Sequence, residues 1–72
     1  MSGKQGTISF KDVEAWQGQK ENVNNILKKY TGTSEYPSTR SLPPMIFGVE
    51  LAADAINELD ALPGVKFLSP NE

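Results

Sequence analysis

The sequence predicts an α+β sandwich in which four short strands form one antiparallel sheet and two helices cover a single face of it. Three observations carry this. Apolar residues alternate with period two in three short segments, they recur with helical period in two longer ones, and the order of the segments is β, α, β, β, α, β. Each helix has one apolar stripe that needs a sheet to cover it, and the split βαβ arrangement, the ferredoxin-like sandwich, supplies one surface for both.

Thr7-Ile8-Ser9-Phe10 is the first strand, with Ile8 and Phe10 on its buried face. Residues 1–6 read as a tail outside the domain, which is otherwise one unit over 1–72. Lys11 to Gln19 is polar apart from Trp16, and Gly18 reads as a break before the next periodic segment. From Gln19 to Tyr30, the residues Val23, Ile26, Leu27 and Tyr30 fall at i, i+3, i+4 and i+7 of a helix. Lys28 and Lys29 suit its last turn and Gly32 its C-terminal stop.

Thr33 to Thr39 has the Thr, Ser and Tyr content of an edge strand, where Pro37 is tolerated because it has no donor to give a central ladder. Ser41-Leu42-Pro43-Pro44 is a turn. Met45 to Leu51 is the clearest strand: alternation places Met45, Phe47, Val49 and Leu51 toward the helices and Ile46, Gly48 and Glu50 on the opposite face. Ala52 to Leu62 is the second helix, with Ala52, Ala55, Ile56, Leu59 and Leu62 on its apolar stripe. Pro63-Gly64 stops it, and Val65 to Leu68 is the last strand. The expected core is Phe47, Val49, Leu51, Ile56, Leu59 and Val65.

Composition narrows the function. Seven basic and nine acidic residues are dispersed along 72 positions, so no positive field gathers phosphates and nucleic acid is not an expected partner. No apolar run is long enough to cross a bilayer, and no signal peptide opens the chain as given. The absence of cysteine fits a reducing compartment, so a cytoplasmic location is expected. The chain has neither His nor Cys, which removes the commonest general base, the commonest activated nucleophile and the soft metal ligands. The carboxylate pairs Asp54/Glu58 and Asp12/Glu14 read as solvated surface, and the scattered glycines form no phosphate loop. No enzyme, metal or cofactor is expected. A monomeric protein-binding domain is, and Trp16 and Tyr36 are either contact anchors or packing residues.

Three longer motifs give this expectation a direction. Ile46-Phe47-Gly48-Val49-Glu50-Leu51, Ala55-Ile56-Asn57-Glu58-Leu59 and Leu62-Pro63-Gly64-Val65-Lys66-Phe67-Leu68-Ser69-Pro70-Asn71 together resemble the propeptide-like inhibitors of subtilisin-type serine proteases. Such proteins read as an apolar strand ending in Glu-Leu, an Ala/Leu-striped helix, then Pro-Gly-Val. The resemblance covers about half of the chain and is looser in Ile8 to Asp12 and Tyr30 to Gly32. Members of the family usually continue for several residues past this point, and they carry helix-capping acids in the turn that Ser38 to Pro44 occupies here without one.

The resemblance implies the ferredoxin-like fold, a sheet face that docks on a protease, and a C-terminal tail that enters the active-site cleft like a product. On that reading the partner-binding residues are Ile46, Gly48 and Glu50 on the open face and Ser69, Pro70, Asn71 and Glu72 in the tail. The role is that of an inhibitor or a folding chaperone. The run Leu62 to Pro70 also resembles plant organellar RNA-editing factor modules, which bind helical-repeat proteins. Pro43-Pro44-Met45-Ile46-Phe47-Gly48 is similar to the site in ribosomally made precursor peptides that radical enzymes splice. The alternatives to the inhibitor are thus a non-inhibitory interaction module and such a precursor.

Overall fold

A computed structural model of the chain describes residues 3–68. Five elements follow in order: β1 (Lys4–Phe10), α1 (Val13–Thr31), β2 (Ile46–Leu51), α2 (Ala53–Asp60) and β3 (Val65–Leu68). The three strands form one antiparallel sheet in the order β2-β1-β3, so the first strand in sequence is the central one. Ile8, Phe10, Val49, Leu51 and Val65 point to one face of it, where they make a single core with Val23, Ile26 and Leu27 of α1 and Ala55 and Leu59 of α2. Both helices therefore cover the same face, as the apolar stripes require.

β1 begins at Lys4, three residues before its expected start, and residues 4–6 belong to the sheet. Gly6 occupies an inward position beneath the Phe67 ring, and a Cβ there would collide with the ring and with the Leu68 carbonyl. A glycine at an inward position hides the alternation that would have announced the strand.

α1 is longer than its apolar periodicity indicates. Asp12, with extended backbone, accepts from the Ala15 amide at 2.8 Å and starts the helix six residues upstream of the expected Gln19. Gly18 is an exposed helical residue, not a break. The added first turns are held by contacts that no heptad pattern records. The Lys11 amide donates to the Gly64 carbonyl at 2.7 Å, and Gly64, at φ +78°, leaves no room for a Cβ beside Ala15. At the other end Gly32 takes the left-handed cap conformation expected of it, its amide returning to Lys28.

The expected fourth strand is not formed. Within residues 33–39 a lone bridge links Ser38 to Ile46, with the Thr39 amide donating to Met45 and the Phe47 amide to Pro37, each at 3.0 Å. Upstream, local bonds capture the backbone instead. The Glu35 amide donates to Thr33 Oγ1 at 3.1 Å, and the Tyr36 hydroxyl donates to Thr31 Oγ1 at 2.7 Å, pinning this segment to the end of α1. Short hydroxyl side chains compete in this way with ladder pairing. Only the stretch around Pro37, with its carbonyl free to accept, reaches the edge of β2.

The largest departure lies in β2. Gly6 pairs with Val49 and Ile8 with Ile46, so Phe47 and Gly48 together stand against the single residue Thr7. This is a β-bulge, and Gly48 at φ +74° supplies the conformation it needs. The extra residue reverses the alternation upstream of it. Val49, Leu51, Leu59 and Val65 are buried as expected and Ile56 packs partly against them, but Phe47 is 40% exposed and outside the core. Ile46 points inward against the core, and its expected place on the open face is corrected accordingly.

Replacing Gly18 by Ala adds a methyl to open space and removes the helical cost of glycine. Denaturant unfolding of Gly18→Ala should show a gain of about 0.5–1 kcal/mol; a loss would show that this part of α1 is not helical.

Candidate functional site

With both helices on one face, no helix or strand among the described residues covers the other face of the sheet. Strand alternation and register place there Gln5, Thr7 and Ser9 of β1, Phe47 and Glu50 of β2, and Lys66 and Leu68 of β3. Thr7 lies between Leu68, its partner in register, and the Phe47–Gly48 bulge, so Phe47, Thr7 and Leu68 form a row across all three strands with a large apolar group on each outer one. Phe47 at 40% and Leu68 at 43% exposure are large hydrophobic groups turned to solvent on a surface only three strands wide. Glu50 stands opposite Gln5 at one end of this face, and Lys66 opposite Ser9 at the other.

Of the site residues expected from sequence, Glu50 and Gly48 lie at this surface, both exposed. Gly48 contributes the bulge and no side chain. Ile46 does not lie on this face, while Phe47, which alternation directs to the core, does. Thr7, Lys66 and Leu68 were missed because β1 and β3 were read for their buried faces alone. Ser69, Pro70, Asn71 and Glu72 lie outside the described residues; they follow Leu68, which is itself on the open face.

Trp16 and Tyr36 lie elsewhere. Both pack partly against the core and, with Phe10, Val23, Pro44 and Ile46, line a shallow groove of about 270 Å³ between α1 and residues 34–46. Lys20 Nζ sits 5.0 Å from the Trp16 ring centroid. This is the seam where the long loop is laid against the helix.

One cluster of ionisable groups bridges the helices. The Tyr30 hydroxyl donates to Glu58 Oε2, and Lys29 Nζ lies 3.3 Å from the same oxygen. The bond from Tyr30 holds the Glu58 carboxyl below its usual range, with Lys29 adding to the effect; the bond to Glu58 in turn raises Tyr30 and Lys29. All three groups are at the surface, so screening keeps the energy small. The cluster ties α1 to α2. Among the described residues no three His, Cys, Asp or Glu side chains gather as metal ligands, and no helix is long and apolar enough to cross a membrane.

The depressed Glu58 pKa contributes stability above the unfolded carboxylate value that is lost as pH falls through the folded one. The raised Tyr30 and Lys29 values contribute below their unfolded values and are lost as pH rises through the folded ones. The stability difference between wild type and Glu58→Gln should therefore peak between the acid and alkaline limits. A pH-independent difference in denaturant midpoints would refute the coupling.

Because Ile46 faces the core, Ile46→Lys should destabilise the fold by roughly 2–5 kcal/mol, whereas Phe47→Lys should leave the thermal midpoint within a few degrees of wild type. The opposite ranking in thermal unfolding would place the bulge wrongly.

Comparison with protein-family models, with curated proteins and with solved structures finds no match to this chain.

Proposed function

We propose that the chain is a small protein-binding domain of ferredoxin-like organisation, its outer edge strand reduced to the bridge at Ser38, which docks on a subtilisin-type serine protease as a propeptide-like inhibitor or folding chaperone. The observation that carries the docking reading is the one-sided sheet: the bare face presents Phe47, Thr7 and Leu68 in a row across all three strands. Aromatic and large aliphatic groups exposed together on a small surface are characteristic of an interaction site. The identity of the partner rests on the resemblance of residues 46–71 to the propeptide-like inhibitors. In that arrangement Phe47 and Leu68 anchor the sheet on the enzyme surface, Glu50 and Lys66 form the polar rim, and Ser69 to Glu72 are the residues that the resemblance assigns to the cleft.

Titrating a subtilisin with the purified chain should slow hydrolysis of a peptide substrate at micromolar concentration or below. Phe47→Ser should weaken inhibition about tenfold or more, equivalent to about 1.4 kcal/mol, while circular dichroism stays unchanged. Unaltered hydrolysis at every concentration would overturn the inhibitory reading.

A further inference from the structure

The bare sheet face is complementary to itself, and we propose that, free of a partner, two copies of this chain cap each other there as a two-fold dimer that must come apart before docking. The inference rests on the open face being the docking surface, and not on a protease being what docks.

Glu50 and Lys66 are the two charged side chains that the three strands place on that face, and they have opposite signs. Each is exposed, and neither has an ion-pair partner within the described residues. They stand at diagonally opposed corners. Glu50 is level with Gln5 on one outer strand and Lys66 level with Ser9 on the other. Four residues along β1 and two strand spacings separate them, about 13 Å by about 10 Å. The row of Phe47, Thr7 and Leu68, with its two large apolar groups on the outer strands, runs between the two corners.

A two-fold axis lying in the plane of the face, perpendicular to the Glu50–Lys66 diagonal, turns a second copy face to face with the first. It places Glu50 of each copy over Lys66 of the other, because an isologous contact repeats every pairing twice. The same rotation keeps Phe47 and Leu68 of both copies at the centre, with the ion pairs at the rim. The two sheets then cross at a steep angle, close to the orthogonal class of sheet packing. Two exposed apolar side chains per copy leave water together, and four charges are matched without any being buried at the core of the contact.

A face this small belongs to the weak end of protein association. That suits a reversible cap. The dimer hides Phe47 and Leu68 when no partner is present and yields to a larger interface.

Sedimentation equilibrium and NMR diffusion from micromolar to millimolar chain at low salt should show a monomer–dimer equilibrium. The contact shifts should map to Thr7, Phe47, Glu50, Lys66 and Leu68. Glu50→Lys and Lys66→Glu singly should each weaken association about tenfold, by setting like charges together at both rims. The double exchange Glu50→Lys/Lys66→Glu should restore it. Phe47→Ser should abolish it with the charges intact, and added salt should weaken the wild type. Circular dichroism of each variant controls for folding.

A wild type that stays monomeric to millimolar concentration, or a double exchange no better than the singles, overturns the proposal. Such a monomer that still inhibits a subtilisin leaves the docking role standing. A dimer with no effect on the protease supports the cap and removes that partner instead.

Discussion

The one-residue excess at Phe47–Gly48 decides which side of this molecule is core and which is surface. Strand side chains alternate with period two, so a single inserted residue exchanges the faces of everything upstream of it. Downstream of the bulge, Val49 and Leu51 are buried in the core. Upstream, Ile46 comes inward beside Ile8 and Phe47 goes outward. Without the bulge Phe47 would be directed at the helices and Ile46 at solvent, and the open face would lose its largest side chain. The exchange depends on the left-handed conformation of Gly48, which a residue with a Cβ adopts only with strain.

The same bulge connects the edge of the sheet to its open face. The Phe47 amide is turned to the Pro37 carbonyl, so the segment after α1 is held against β2 at the position where the strand bends. Proline can accept at such an edge but cannot donate, and the hydroxyls of Thr31 and Thr33 divert the preceding residues into local turns. The edge is thereby partly covered without a full strand. A covered edge reduces open-ended pairing through the backbone and leaves the face as the larger unsatisfied surface.

What could be read from the sequence was whatever an apolar period records directly. The stripe Val23, Ile26, Leu27 and the stripe Ala55, Leu59 gave two helices on one core, and Val49, Leu51 and Val65 gave the inner surface of the sheet. Features held by other forces were not legible in the same way. The first turns of α1 depend on the Asp12 cap and on the close approach of Ala15 to Gly64, and neither leaves an apolar period. The entry of β1 is masked by Gly6, which is inward because the Phe67 ring needs the space. Glu50 was correctly assigned to the open face because it lies downstream of the bulge, and Ile46 and Phe47 were exchanged because they lie upstream. The cue was present in Gly48, since a glycine inside a strand pattern is a common mark of a bulge.

Thinness of the core explains why the two faces of the sheet are so unequal. A chain of 72 residues can complete only one sandwich layer, and both helices are spent on it. The remaining face could have been made uniformly polar at little structural cost, as Gln5, Thr7 and Ser9 on the central strand illustrate. Phe47 and Leu68 on its two neighbours break that pattern while adding nothing to the core, since neither packs against it. Their placement on opposite sides of Thr7, with Glu50 and Lys66 at opposed corners, is what the proposed docking reading rests on. Phe47 and Leu68 lie at the middle of this surface and the opposite charges of Glu50 and Lys66 at its ends, so the proposed dimer and the proposed protein partner would compete for the same row of side chains.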